Sequence, residues 1–493
     1  MRKKLASSRG KNQVPRHSSQ TRARSSFRTE NDSLGPIEIP ALALYGAETA
    51  RAIENFPISG RTAHPAMIRA YLRIKSAAAS ANFYCKVITK REMQLIQIAI
   101  QEILRLNEKN WPELFPVDPY QAGAGTSQNM NLNEVIANIA NRNAKKPLGS
   151  YSPIHPHDQV NRSQSTNDTF PTAMRLAILE TSKALITELK ELSVSFFKKA
   201  RKWESIPKSA RTHLQDAVPM MLGQEFSAYG ATLSQCAHWI QASQDPLREL
   251  GIGGSAAGTG LTVPGAFSTK IRAELQLLCN EKLRISKNLF QSMQSQAPIT
   301  YYSSALRVTA LELTRICNDL RLLASGPLTG LSEIFLPAVQ PGSSIMPGKV
   351  NPSILEMANQ TWYSILGYDQ TIAWAIQAGQ LELNVMMPIM SYSVLEATQI
   401  FTHTLKILRT RCIDGLEPNI ARLRNYFEST PQMATALSPK LGYQKTAELV
   451  KEALKEEKSI IELVRKHKLL TENEIRLLLD ARALTGFKPI DFS

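Results

Sequence analysis

The sequence predicts an all-α protein, and three observations carry that prediction. Across residues 175–200, Ile178, Ser182, Leu185, Leu189, Leu192 and Phe196 recur at steps of four and three, while Lys183, Glu188, Lys190 and Glu191 fill other faces. That spacing is the seam of a long amphipathic helix in a bundle. Two capping-box pairs mark further helix starts: Ser353 with Glu356, opening a helix of about 20 residues, and Thr471 with Glu474, ahead of Ile475-Arg-Leu-Leu-Leu479. Strand signals are few and short.

Bulk properties bound the class. The chain has 493 residues, 43% of them hydrophobic, enough for a sizeable interior. No run approaches the roughly 18 apolar residues of a membrane helix, so the expectation is a soluble protein with no membrane partner. Cys85, Cys236, Cys279, Cys317 and Cys412 are scattered, with no CxxC or Cys/His cluster. Neither a disulfide framework nor a zinc site is indicated, and a reducing, cytoplasmic location is expected.

The net charge of +16 raises nucleic acid as a partner, but nine of the basic residues fall in 1–28, which holds no Asp or Glu. The remainder carries 49 basic and 42 acidic residues. Rich in Ser and Arg and poor in large apolar residues, 1–28 reads as a disordered basic extension. Organelle targeting and nucleic-acid tethering are the alternatives. Gly10 and Pro15 interrupt any amphipathic targeting helix.

After this extension, Gly35-Pro36 opens an extended piece through Ile37-Glu-Ile-Pro40. From about residue 62 the pattern is helical, punctuated by loops near 116–131, 144–171, 206–223, 251–265 and 325–352. The polar clusters concentrate in these loops, which suggests a helical scaffold with loop-borne sites.

Gly342-Ser-Ser-Ile-Met-Pro-Gly-Lys-Val-Asn-Pro352 combines two glycines and two prolines with Ser343, Ser344, Lys349 and Asn351. It cannot be a regular helix or strand interior. A hydroxyl needs activation to act as base or nucleophile. Lys349 offers a cation for an alkoxide or carboxylate, and the helix starting near Ser353 adds positive potential. A flexible surface turn is the alternative.

Ser163-Gln-Ser-Thr-Asn-Asp168 offers Ser165, Thr166 and Asn167 to a small oxygenated or aminated ligand, or caps the helix that follows. Arg211-Thr-His-Leu-Gln-Asp216 places Thr212 beside His213 in a loop leading to a helix; His213 is a candidate proton-transfer group or is simply structural or exposed. Gly123-Ala-Gly-Thr-Ser-Gln-Asn-Met-Asn131 contributes Thr126 but lacks the GK[ST] of a phosphate loop. Gly253-Gly-Ser-Ala-Ala-Gly-Thr-Gly260 lacks the strand–helix–strand context of a dinucleotide site.

Taken together, these five segments resemble the aspartase/fumarase superfamily from about Thr29 to residue 480. Ala52-Ile-Glu-Asn-Phe-Pro-Ile-Ser59, Asn131-Leu-Asn-Glu-Val-Ile-Ala-Asn138 and Val160-Asn-Arg-Ser-Gln-Ser-Thr-Asn-Asp168 add to the match, in the expected order. The resemblance implies an all-α fold of three domains: mainly helical 29–165, a central long-helix bundle over 166–420 and a small helical unit over 421–493. It implies a homotetramer whose active sites each draw loops from three subunits, and a small dicarboxylate substrate. It requires no organic cofactor; some relatives are activated by a divalent cation, and no ligand set for one is evident here. By motif position Ser343 is the general base, with Lys349 and Asn351 as carboxylate ligands and Thr212 assisting. Thr126, Ser165, Thr166, Asn167 and His213 surround the amino group and second carboxylate, and Ser344 adds loop contacts; His213 is also a candidate catalytic group.

Within the superfamily the alternatives are aspartase, eliminating ammonia from L-aspartate, and class II fumarase, eliminating water from L-malate. Gly123-Ala-Gly-Thr-Ser127, Leu331-Ser-Glu333, Gln340-Pro-Gly342, Asp216-Ala-Val-Pro219 and Ala378-Gly-Gln-Leu-Glu-Leu-Asn384 are aspartase-like; His155-Pro-His-Asp158 and Gly253-Gly254 are fumarase-like. Their weight favours ammonia release. A non-catalytic scaffold, or a nucleic-acid binder working through the basic extension, is the alternative of a different class. Thr262, where the family usually has Asn, and Met386-Met387-Pro388, lacking an acidic residue before the proline, depart from the pattern.

Overall fold

The computed structural model describes residues 27–478 and 480–486. β1 (Phe27–Asp32) and β2 (Gly35–Pro40) form an antiparallel hairpin that pairs Phe27 with Pro40 and Asp32 with Gly35. This corrects the end of the basic extension. Residues 1–26 of it lie outside the described residues, but Phe27 and Arg28 are strand residues. The Arg28 guanidinium holds the next turn in place, donating to Ala43 O at 2.7 Å and Tyr45 O at 2.8 Å and pairing with Glu30 at 2.6 Å.

The helices that follow are α1 (Ala47–Asn55), α2 (Pro65–Tyr84), α3 (Lys90–Arg105), α4 (Trp111–Leu114), α5 (Thr126–Asn143) and α6 (Thr166–Lys202). The hairpin β3 (Pro207–Thr212) and β4 (Gln215–Met221) leads into α7 (Leu222–Ser243). Next come β5 (Glu249–Leu250), α8 (Phe267–Cys279), β6 (Arg284–Ile285), α9 (Leu289–Gln294), α10 (Ala297–Leu323), β7 (Ile334–Phe335), α11 (Ser353–Gln377) and α12 (Met387–Leu408). The C-terminal part holds β8 (Glu417–Pro418), α13 (Ile420–Ser429), α14 (Ser438–Leu441), α15 (Tyr443–Glu456), α16 (Ile460–Lys466), α17 (Glu472–Leu478) and α18 (Ala481–Leu484).

Five long helices close a ring: α6 packs on α7, α7 on α10, α10 on α11, α11 on α12, and α12 back on α6. The seam expected on α6 is the buried one, with Ile178, Ser182, Leu185, Leu189, Leu192 and Phe196 all inside. Burying each large apolar side chain contributes about 1.5–3 kcal/mol, so the six-position seam alone orients α6 in the ring. α2 lies against α6 and α8. One hydrophobic cluster runs from Ala66 to Leu423 and crosses the boundary expected at 165/166; a second runs from Phe427 to Ile475. Among the described residues no helix is long and apolar enough to cross a membrane.

Local expectations differ in outcome. Thr471 and Glu474 do form a reciprocal cap ahead of α17, through Thr471 N to Glu474 Oε2 at 2.8 Å and Glu474 N to Thr471 Oγ1 at 3.3 Å. Ser353 does not cap α11. The cap position falls on Pro352, which has no acceptor side chain, and Ser353 is already the first helical residue. The loops expected over 116–131 and 144–171 end earlier, because helix begins at Thr126 and Thr166.

Candidate active site

The first group of expected residues sits where α5 and α6 begin. Gly125 has φ +83°, and a Cβ there would lie 2.0 Å from the Phe170 ring, so glycine lets the start of α5 close onto α6. Thr126 follows as the first residue of α5, exposed. Ser165 caps α6: its Oγ accepts from Asn167 N at 3.2 Å, and the Asp168 carboxylate accepts from Ser165 N at 3.0 Å. The Asn167 amide donates to Ala256 O at 2.8 Å and ties this cap to the glycine-rich 253–260 segment. Thr166 is buried, and its hydroxyl accepts from Asn129 Nδ2 at 3.1 Å. The capping role of this cluster is therefore real, and it orders the side chains that the resemblance assigns to ligand binding.

Beneath this shelf lies Lys75 of α2, 0% exposed. Its ammonium donates to Asn129 Oδ1 at 2.8 Å, Asn161 Oδ1 at 3.0 Å and Gln164 Oε1 at 3.1 Å. Three donors meet three amide oxygens, which is the full capacity of an ammonium group. Burial pushes the Lys75 ammonium down to about 7, opposed by the charge of Asp168. Asp168 is also buried; removal from water pushes its carboxyl up to about 7, against the N–H groups of Ser165, Ser255 and Gly253 that favour the carboxylate. A buried cation thus fixes Asn129, which in turn fixes Thr166.

The second group is carried by the β3–β4 hairpin rather than by an irregular loop. Thr212 ends β3, and His213 and Leu214 make the turn with φ +55° and +60°. All three are exposed. What holds the hairpin is the fully buried Glu333. Arg211 Nη1 donates to its Oε1 at 2.6 Å, and Lys208 Nζ lies 2.9 Å from its Oε2 as an ion pair off hydrogen-bond geometry. Lys208 also pairs with Glu225 at 2.7 Å. Removing one partner of a buried ion cluster strands the other charges, at about 3–5 kcal/mol. Glu333→Gln is expected to cost that much in a denaturant unfolding experiment, with part restored by adding Lys208→Met. An unfolding midpoint unchanged in Glu333→Gln would show that the cluster does not hold the hairpin.

The third group is the 342–352 loop. Its neck is closed by Gly342 N donating to Lys349 O at 2.9 Å and by Asn351 Nδ2 donating to Gly342 O at 2.6 Å. A Cβ on Gly342 would lie 2.3 Å from Lys349 O, so the neck tolerates only glycine. Ser343 Oγ accepts two backbone N–H bonds, from Ile345 at 3.2 Å and Met346 at 3.0 Å. Donors aimed at a hydroxyl oxygen favour its alkoxide over the neutral form. Ser344 and Lys349 are exposed; Ser343 and Asn351 are half-buried.

Within one chain these groups do not converge. The cavity of about 450 Å³ formed by the loop is lined by residues 338–350 alone. Among the described residues no hydrogen bond joins the loop to the 165–167 cap or to the hairpin turn; the polar contacts of Ser343 and Asn351 stay inside the loop. Among the described residues there is also no group of three or more His, Cys, Asp or Glu placed to hold a metal. Sequence reasoning missed Lys75 and did not assign a role to Glu333 or Asp168. For Lys75 a signal was present: of the two cations in Tyr71-Leu-Arg-Ile-Lys-Ser-Ala-Ala-Ala79, it is the one that falls four residues after Tyr71 and three before Ala78, on an otherwise apolar face. Met387, at the departure noted before Pro388, is fully buried at the start of α12, where an acid would need its own partner.

Comparison with known proteins shows the family. The lyase family profile matches residues 35–367, and the fumarase C C-terminus profile matches 433–486. Class II fumarate hydratase of Corynebacterium glutamicum is 43% identical over 465 residues, covering 93% of this chain and 96% of that one. Aspartate ammonia-lyase of a Bacillus species is 42% identical over 458 residues, covering 93% and 97%. Among solved structures, a Brucella melitensis fumarate lyase:delta crystallin bound to cobalt superposes with a TM-score of 0.89 at 42% identity, covering 92% of this chain and 99% of that one. The class II fumarase of Schistosoma mansoni gives 0.89 at 33% identity, covering 94% and 100%. With its ring of long helices and its serine–lysine–asparagine loop, the chain belongs to the aspartase/fumarase superfamily of lyases.

Proposed function

We propose that this lyase is an aspartate ammonia-lyase acting by anti-elimination. The observation that carries the elimination chemistry is the 342–352 loop, in which two N–H groups point at Ser343 Oγ beside Lys349 and Asn351. Ser343 removes the proton from Cβ of L-aspartate. That proton is weakly acidic, and its removal builds negative charge on the neighbouring carboxylate as an aci-carboxylate. Lys349 and Asn351, assisted by Thr212, hold that charge. Ser344 adds loop contacts, while Thr126, Ser165, Thr166, Asn167 and His213 position the amino group and the other carboxylate. Ammonia then leaves and fumarate forms. Loop closure excludes water and completes the site.

The separation of the three groups within one chain supports assembly of each site from several subunits of a homotetramer. Three sequence contexts support ammonia as the leaving group: Gln340 before the serines, Ser127 after Thr126, and Gln380 ahead of Asn384. Hydration of fumarate is the second reading, favoured by His155-Pro-His-Asp158, where His157 Nε2 lies 2.6 Å from Glu48 Oε1. Purified protein given L-aspartate is expected to raise the ultraviolet absorbance of fumarate and release ammonia in equal amount. Turnover of L-malate with none of L-aspartate would replace this reading with the second.

A further inference from the structure

A cavity of about 380 Å³ lies at the start of α10, lined by none of the residues assigned above. Arg175 of α6, Glu249 of β5, Arg284 of β6, Gln291 of α9, Ser295 and Tyr301 border it, two cations against one carboxylate. Arg175 is 3% exposed, yet among the described residues its only hydrogen bond is from Nη1 to the Glu249 carbonyl. Its Nε is buried with no partner. A guanidinium has five donors and a permanent charge, so a buried one normally meets an anion. The nearby Glu249 carboxylate is otherwise engaged, accepting from Ser286 Oγ at 2.8 Å and lying 3.5 Å from Arg284, itself paired with Asp245 at 3.0 Å. Among the described residues no carboxylate stands within salt-bridge distance of Arg175.

The second observation is the helix that opens on the same cavity. α10 spans 27 residues, and its N-cap residue Gln296 makes no side-chain cap. Of its first-turn residues, Ala297 donates its N–H to Ser295 Oγ, Pro298 has no N–H and Ile299 donates to the Gln296 carbonyl, so the helix start offers the cavity its dipole rather than free N–H groups. Ser295 Oγ accepts from Ala297 N at 3.4 Å, which leaves its hydroxyl proton free to donate inward. The helix start and a guanidinium with no carboxylate at salt-bridge distance among the described residues border one space.

We propose that this cavity binds a small oxyanion, a single carboxylate or phosphate group, between Arg175 and the N-terminus of α10. Arg175 also holds Glu249 in place, and the chain from Glu249 runs to Gly253, whose N–H donates to Asp168 at 3.0 Å. Occupancy is thereby linked to the glycine-rich segment that meets the Ser165–Asn167 cap.

The test is isothermal titration calorimetry of the full chain in low-salt zwitterionic buffer, with inorganic phosphate in one arm and acetate in the other. Binding of at least one anion is expected, weakened about tenfold or more in Arg175→Met, as loss of a charge-assisted contact predicts. Gln291→Glu places a carboxylate on the exposed rim without touching the core and is expected to weaken the same binding; it decides the matter if Arg175→Met fails to fold. A response to acetate alone, weakened by the same substitutions, supports the site and identifies its ligand as a carboxylate. No heat with either anion, or equal binding by wild type and Gln291→Glu, would overturn the proposal.

Discussion

Ser343→Ala is expected to lower kcat by about 10²–10⁴-fold, the usual worth of a positioned general base. KM should change little, because Lys349 and Asn351 remain to hold the carboxylate. The loop should keep its shape. Its neck is closed by Gly342, Lys349 and Asn351, none of which uses the Ser343 hydroxyl. The N–H groups of Ile345 and Met346 lose an acceptor, but both residues are exposed and water replaces it. Steady-state kinetics on L-aspartate, with a sizing experiment to confirm unchanged assembly, reads the result. Retention of the full rate would remove Ser343 from the base role.

Lys75→Met is expected to have the next largest effect, although Lys75 lies below the shelf and touches no proposed ligand. The substitution keeps length and packing but leaves the oxygens of Asn129 and Gln164 buried without their ammonium donor. Each such orphan costs about 1–3 kcal/mol, and the side chains will turn to avoid it. Asn129 then no longer fixes Thr166. A misplacement of order 1 Å near reacting groups costs about 10²-fold in rate, and a loss of that size in kcat/KM is expected.

A pH measurement separates this positioning role from simple unfolding. Native Lys75 releases its proton near 7, whereas an unfolded lysine holds it to about 10.4. Between those values the unfolded state binds more protons, so Lys75 makes the wild type gain stability as pH rises. Thermal unfolding at pH 7 and pH 9 should show this contribution in the wild type and its absence in Lys75→Met. Parallel pH profiles of the two proteins would contradict the burial of an ionisable Lys75 in the native state.

Legibility in the sequence followed the range of the interaction. The α6 seam was readable because its period lies within one helix and each turn repeats it. The Ser165 cap was readable for the same reason, as its partners are two and three residues away. The hairpin was not. Its turn is made by His213 and Leu214 in the left-handed region, with none of the Asn-Gly or Gly chemistry that marks such turns. Ser353 misled because Pro352 occupies the cap position and displaces the expected pair by one residue. Thr262 shows the reverse case. The missing asparagine was visible, and the structure supplies its meaning: φ there is +70°, a conformation asparagine adopts more readily than a β-branched residue.

The sequence by itself determined the helical scaffold, the irregular serine loop and the chemical kit that loop carries, because periodicity, caps and turn residues are written within a few positions of one another. Only the tertiary structure decided that Lys75 is a buried support, that Glu333 clamps the hairpin and that Asp168 joins the cap to the glycine-rich segment. Those partners stand 89, 122 and 85 residues apart in the chain. No local pattern encodes them, since only packing brings distant polar groups out of water together and obliges them to satisfy one another.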